Sequence, residues 1–142
     1  MRLVPVLAVL LLTGCSVFES FNPLLNEIGK QIVADWKQRP DVAAAQFEYT
    51  HGLDAGDSLQ VQVMLKAEEI NDAVVDEVVE IARRDCWRGT WGSCSATYVV
   101  YTTADPPYAD KPESGKPVRQ GEVDLPPELE ASYGPRPTRP SK

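Results

Sequence analysis

Hydrophobic side chains first recur with the spacing of a helix between residues 23 and 39. Four of them share one face of this segment: Leu25, Ile28, Ile32 and Trp36. Such spacing is typical of an amphipathic helix. Asn22 and Pro23 form a helix start, with Asn as the N-cap and Pro at the first helical position, and Pro40 ends the helix. Because the polar face carries few cations, we expect this helix to pack on a core rather than lie on a bilayer.

A strict alternation of apolar and polar residues follows on both sides of a turn. The apolar positions are Ala45, Phe47 and Tyr49 before the turn, and Leu59, Val61, Val63 and Leu65 after it. The intervening segment 52–57 is rich in Gly and Asp, which favour turns. The pattern predicts a β-hairpin with one buried face.

A second helix is predicted to begin after Asn71, which has the character of an N-cap. Ile70 and Val75 have the spacing of a hydrophobic staple across this helix start, and Val78 and Ile81 continue the apolar stripe. Residues 95–103 are rich in β-branched and aromatic side chains. They predict a third strand.

The element order α-β-β-α-β predicts an α+β fold. We expect a three-stranded, largely antiparallel sheet with two helices on one face, similar to a ferredoxin-like fold that lacks one element. This domain is assigned to residues 23–103. Nine of the twelve prolines follow residue 105, so we expect 104–142 to be a proline-rich, mostly disordered tail.

Composition excludes several classes of function. The 142 residues suffice for one domain, and the net charge of −7, without clustered Lys and Arg, argues against nucleic acid as a partner. One His and three Cys are too few for a zinc cluster, and we expect no cofactor and no metal. The chain lacks a Gly-rich phosphate loop and a Gly-x-Ser-x-Gly motif. We therefore expect that the protein is not an enzyme.

Two groups of polar side chains are expected to be solvated, although the first, around His51, superficially resembles catalytic parts. His51 has Asp54 and Asp57 nearby in sequence, which we interpret as turn polarity, because one turn does not form a substrate pocket. The acidic residues of the second helix are interpreted as a solvated face: Asp72, Asp76 and Glu80. Arg84, four residues after Glu80, is expected to pair with it.

The N-terminal sequence predicts a targeting signal. Arg2 precedes an apolar run from Leu3 to Leu12, which spans about 15 Å as a helix, too short to cross a bilayer. The following Leu12-Thr13-Gly14-Cys15 resembles the lipobox of bacterial lipoproteins. The resemblance implies a signal peptide at 1–14, acyl groups such as palmitate on Cys15, and a lipidated tether at 15–22. The alternative is an ordinary secretory signal with a chance Cys.

With Cys15 assigned to lipid, Cys86 and Cys94 remain as a pair, and we predict a structural disulfide between them. A redox-active pair is the weaker alternative, because the spacing is not Cys-x-x-Cys. The closed loop holds two of the three Trp. Trp and Arg are frequent binding anchors, so Trp87, Arg88 and Trp91 are candidate partner-binding residues, with core packing of the two Trp as the alternative.

These features predict a lipid-anchored, extracytoplasmic protein of the bacterial cell membrane, acting as a non-catalytic interaction module. Its expected partners are the membrane, through Cys15, and another envelope protein or a glycan. A cell-envelope hydrolase and a small-ligand carrier are the alternatives. The α/β body, the Trp-Arg after the second helix and the proline-rich end resemble small uncharacterised lipoproteins of actinomycetes, a resemblance that implies no specific activity.

Overall fold

The computed structural model describes residues 23–52, 56–107, 115–139 and 141. The predicted signal peptide, Cys15 and the tether lie outside these ranges. Two main helices are present, α1 (Pro23–Lys37) and α2 (Asp72–Gly89). The described residues form four strands, which in chain order are β1 (Val42–Gly52), β2 (Gly56–Leu65), β3 (Ala96–Thr102) and β4 (Arg119–Glu122). Single helical turns lie at Ala67–Glu69 and Pro127–Leu129, and a short helix α3 spans Glu130–Tyr133.

The predicted hairpin is confirmed by the pairing of β1 with β2. These strands are antiparallel, with Phe47 opposite Val61 and Tyr49 opposite Leu59. The inward residues of β2 are fully buried, whereas the alternating Gln60 and Gln62 are partly exposed on the other face. One face of the sheet therefore carries the core, and the other presents Gln60 and Gln62.

The α+β class is confirmed, but the sheet differs in detail from the prediction. It has four strands in the order β1-β2-β3-β4 and is mixed, because β3 pairs with β2 in parallel. Parallel neighbours require a crossover connection, and α2 supplies it. The pairing of β4 with β3 is antiparallel again, and α3 adds a short third helix to the predicted two.

The predicted domain boundary at 103 and the mostly disordered tail are wrong for residues 115–139. Gln120 of β4 lies opposite Val99 of β3, and Val123 is buried in the core. No proline occurs between Pro117 and Pro126. The backbone N–H groups of this interval can therefore pair with a neighbouring strand. The high proline content of the whole segment hid this possibility in the sequence.

The core lies between the sheet and the two main helices. Trp36 of α1 is completely buried, and its indole Nε1 donates a hydrogen bond of 2.8 Å to the carbonyl oxygen of Val78 in α2. Gly29 allows α1 to approach β1 closely, because a Cβ at this position would lie 2.5 Å from Cδ2 of Phe47. Burial of these apolar side chains is the main stabilising contribution to the fold.

One end of the domain brings together several segments that are distant in sequence. Leu59, near the start of β2, lies opposite Ala96 at the start of β3, and Val123, after β4, donates its backbone N–H to the carbonyl of Ala96. Leu24 and Leu25 of α1 reach the same region beside Trp91. We call this region the loop end, because the loop closed by Cys86 and Cys94 lies there.

Candidate functional site

The predicted disulfide is present at the loop end. Cys86 and Cys94 are bonded, with their Cα atoms 5.7 Å apart, and both are buried. Thr90 tightens the loop further, because its backbone N–H and its hydroxyl both donate to the carbonyl oxygen of Cys86. The bond joins the last turns of α2 to the residues just before β3, so the loop has two fixed ends.

Trp87, a candidate partner-binding residue, is not available at the surface. Its side chain is only 3% exposed, and Nε1 donates a hydrogen bond of 2.8 Å to the carbonyl oxygen of Gly134. The guanidinium of Arg136 lies over the indole ring at 5.0 Å from its centroid, a cation–π arrangement. The interpretation of Trp87 as a surface anchor is therefore wrong. The segment that contains Gly134 and Arg136, which we call the C-terminal segment, covers it.

Arg88 and Trp91 do lie at the surface. Trp91 is 44% exposed and, with Leu24 and Leu25, lines a small cleft of about 130 Å³ at the start of α1. Arg88 is exposed, and its guanidinium lies 5.7 Å from the centroid of the Tyr133 ring. Their role in partner binding stays a prediction.

Arg136 fastens the C-terminal segment to the disulfide loop. Its Nη2 donates to the hydroxyl of Thr90 and to the carbonyl oxygen of Gly92. Its Nε is buried and has no hydrogen-bond partner in the described part of the chain. An unpaired buried donor is unfavourable in a protein interior. Arg136 is thus a donor with unused capacity beside the loop.

Arg136 also lines a cleft of about 570 Å³ at the loop end, which we call the loop cleft. Its wall consists of residues 92–97, 122–125 and Arg136. The residues of this wall with polar side chains are Ser93, Ser95, Thr97, Glu122, Asp124 and Arg136. Its volume lies within the range of small-molecule sites, but its wall is more polar than is usual for them.

The backbone at Ser95 shapes the floor of the loop cleft. Ser95 has φ of 47°, in the left-handed region that non-glycine residues rarely adopt, and its N–H donates to the hydroxyl of Ser93 at 3.3 Å. Such conformations persist where the surrounding structure enforces them. Here the disulfide at Cys94 and the start of β3 at Ala96 hold the residue on both sides.

The acidic face of α2 was predicted to be solvated, and this prediction is only partly correct. Asp76 accepts a hydrogen bond from Arg119 of β4, and this contact raises the pKa of Arg119. Glu80 accepts from the hydroxyl of Tyr133 and from Arg83, rather than from Arg84 as expected. The outer face of α2 therefore binds the C-terminal segment. Asp72 is the member of this group that remains fully exposed.

Arg84 instead bridges two carboxylates between α1 and α2. Its Nη2 lies 2.6 Å from Asp35 Oδ2 and 2.9 Å from Asp85 Oδ1. Asp85 is buried, and this burial, with a hydrogen bond to the Asp35 carboxyl, raises its pKa to about 6. Burial acts in the same direction on Asp35, but hydrogen bonds from Gln31, Asp85 and Arg84 outweigh it and lower its pKa.

Asp85 was missed by the sequence analysis, although a signal was present. It continues the buried stripe of Val75, Val78 and Ala82 at helical spacing. A charged residue on the apolar face of a helix requires a partner. Together with Asp35, it lines a groove of about 410 Å³ between α1 and α2.

His51 is more enclosed than the predicted solvated turn. Its side chain is 16% exposed, and Nδ1 lies 2.5 Å from Asp57 Oδ1, which also accepts a 2.9 Å hydrogen bond from the hydroxyl of Tyr49. Asp54 lies outside the described residues. The group fastens the end of the hairpin, and neither His51 nor Asp57 lines the loop cleft.

Comparison with protein-family models, with curated proteins and with solved structures finds no match to this chain. Within residues 23–52, 56–107, 115–139 and 141, no cluster of three or more His, Cys, Asp or Glu side chains is arranged to hold a metal ion. Over the same ranges, no helix has the length and apolar character needed to cross a membrane. Cys15 lies outside these ranges.

Proposed function

We propose that this protein is a lipid-anchored, extracytoplasmic binding module whose loop cleft binds a glycan of the cell envelope. The anchor is proposed from the lipobox-like Leu12-Thr13-Gly14-Cys15. Two acyl chains hold a protein to a bilayer far more firmly than one. With a net charge of −7, the body of the protein gains no attraction from an anionic surface, so the lipid supplies the anchoring.

The observation that carries the glycan proposal is the mixture of donors and acceptors in the loop cleft. Carboxylates of Glu122 and Asp124 accept hydrogen bonds, and the guanidinium of Arg136, which lines the same wall, donates them. Serine and threonine hydroxyls do both. A sugar presents closely spaced hydroxyls that also donate and accept, so a wall of this composition can satisfy them without burying unpaired polar groups.

A binding role fits this cleft better than hydrolysis. A pair of carboxylates is the usual machinery of glycoside hydrolysis, in which an apolar environment keeps one of them protonated. Glu122 and Asp124 are both exposed to solvent. The arrangement therefore favours hydrogen bonding to hydroxyls over proton transfer to a leaving group.

Binding of soluble oligosaccharides released from envelope polysaccharides tests the cleft. We expect Glu122→Gln and Asp124→Asn to weaken binding about 10- to 100-fold in calorimetry, the usual effect of losing a charged hydrogen-bond partner. Glu48→Gln is the matched control. Glu48 shares a register row with Glu122 across all four strands, through Gln60 and Thr97, but lies at the opposite edge of the sheet. Equal affinities for all three variants would contradict the proposal.

The anchor is tested separately, by mass spectrometry and detergent-phase partitioning of the mature protein. We expect acyl mass on Cys15, and we expect Cys15→Ser to move the protein from the detergent phase to the aqueous phase. A Cys15→Ser protein that partitions as the wild type does would contradict lipid anchoring and leave the cleft assay unaffected.

A further inference from the structure

The loop end carries an exposed aromatic residue beside the start of α1, which is where the predicted tether joins the domain. We propose that Trp91 lies in the headgroup region of the membrane to which Cys15 anchors the chain, so that the side of the disulfide loop beside Leu24 and Leu25 contacts the lipid surface. This inference depends on the anchor of the proposed function and adds a defined membrane-contact residue to it.

The length of chain before α1 restricts how far the domain can stand from the membrane. Seven residues separate Cys15 from Pro23. Even a fully extended chain covers at most about 3.5 Å per residue. The first residue of α1 therefore lies within about 28 Å of an anchored Cys15.

Trp91 lies at the end that the tether holds. It lines the same small cleft as Leu24 and Leu25, the second and third residues of α1. Among the described residues the other large, exposed hydrophobic side chain is Val118. Val118 lies away from this end, because its backbone N–H bonds to Val100, four residues into β3, whereas Val123 bonds to Ala96 beside the loop.

The side chains of Trp91 and Arg88 suit the boundary between lipid and water. An indole combines an apolar body with one polar N–H, which is why Trp is enriched at membrane interfaces. Arg88, an exposed residue three positions earlier in the chain, can keep its guanidinium in water or on phosphate while its stem covers apolar surface. The first acidic residue of α1, Glu27, forms an ion pair with Lys30 at 3.0 Å.

The disulfide loop is also held in one conformation before it contacts the membrane. Its two ends are joined by the disulfide, and Thr90, the neighbour of Trp91, is held by hydrogen bonds to Cys86 and Gly92. A segment that is already ordered loses little conformational freedom on binding. Trp91 therefore enters the headgroup region without a further ordering step.

Fluorescence quenching in vesicles tests the inference on the full-length lipidated protein. The vesicles contain zwitterionic phosphatidylcholine with brominated acyl chains, which quench indoles that reach the membrane. Trp36 and Trp87 are buried in the domain and provide a background that the bromines do not reach. We expect loss of most of the Trp91 emission, and we expect Trp91→Phe to remove the quenchable component.

A double variant, Trp91→Phe with Val118→Trp, is the matched control, because it moves an exposed indole to the other end of β4. We expect its added indole to stay unquenched. If Trp91 is quenched no more than this control, in protein with confirmed acyl mass on Cys15, the inference is wrong and the anchor stands. If no acyl mass is found on Cys15, the anchor is contradicted, and this inference is wrong with it. Shielding of Trp91 in native membranes but not in vesicles would assign it to a protein partner and overturn the inference.

Discussion

The indole Nε1 of Trp87 donates a 2.8 Å hydrogen bond to the carbonyl oxygen of Gly134, a residue 47 positions later in the chain. The contact fastens the C-terminal segment to the last turn of α2. Arg136 continues it by covering the face of the same ring. The segment that looked like a proline-rich tail is thus part of the folded domain.

Truncation after Ala104 is expected to destabilise the domain. It removes β4, leaves the buried site of Val123 empty and exposes Trp87. Each buried side chain of this kind contributes about 1.5–3 kcal/mol, so we expect Tm to fall by more than about 10 °C. Thermal unfolding followed by circular dichroism measures this shift, with truncation after Arg139 as the control. An unchanged Tm would restore the boundary at 103.

Reduction of the disulfide is expected to lower the free energy of unfolding by about 2–3 kcal/mol, because it frees a short loop in the unfolded chain. The Cys86→Ala/Cys94→Ala variant should unfold in urea with the stability of the reduced wild type and should not respond to reductant. Two free thiols in unreduced, unfolded protein whose Cys15 is acylated would show that the bond does not form.

Gly29→Ala is expected to destabilise the domain by about 1–3 kcal/mol, the usual effect of overpacking. The new Cβ would lie 2.5 Å from Cδ2 of Phe47, so α1 or the ring must shift. Gly92→Ala is the matched control, since a Cβ there meets nothing within 4 Å. Urea unfolding distinguishes them. Equal stabilities would mean that Phe47 rearranges without penalty.

Asp85 predicts a specific dependence of stability on pH. Burial raises its pKa to about 6 from an ordinary value of 3.8, so the folded state holds this proton more tightly than the unfolded state. Stability contributed by the protonated acid is therefore fully present below about pH 4 and is lost as pH rises through 6. Asp35, whose pKa is lowered, has the opposite effect, and at lower pH.

The comparison of variants isolates this contribution. Asp85→Asn should abolish the loss of stability between pH 4 and pH 6 relative to the wild type, while Arg84 keeps its contact with Asp35. Glu68→Gln, at an exposed position, should change the pH profile little. Unfolding free energies measured at pH 4, 5 and 7 test this. Parallel profiles for Asp85→Asn and the wild type would show that Asp85 is ionised throughout.

Local pattern was sufficient to predict the elements that depend on nearby residues. The hairpin followed from period-2 alternation. The start of α2 followed from Asn71, whose side chain accepts a 2.9 Å hydrogen bond from the backbone N–H of Val74. The disulfide followed from cysteine number and compartment. In each case the residues that determine the feature are close in sequence or chemically distinctive.

Elements that depend on distant residues were missed. Strand β4, Arg-Gln-Gly-Glu, contains no apolar side chain, so its strand conformation comes from pairing with β3 and from the Arg119–Asp76 contact rather than from its own pattern. The loop cleft arises only when Glu122 and Arg136 approach the disulfide loop. No pattern in the local sequence indicates that these segments lie together.

Strand β4 also covers an edge of the sheet that β3 would otherwise present. Without it, β3 would form the edge of the sheet and present the unpaired backbone of Tyr98-Val99-Val100-Tyr101, a β-prone sequence without charge. Exposed edges of this composition recruit other chains and begin aggregation. β4 covers that edge with a short strand bearing Arg119 and Glu122. Proteolysis between β3 and β4, followed by loss of the C-terminal fragment, would expose the edge of β3 as a template for intermolecular sheet growth.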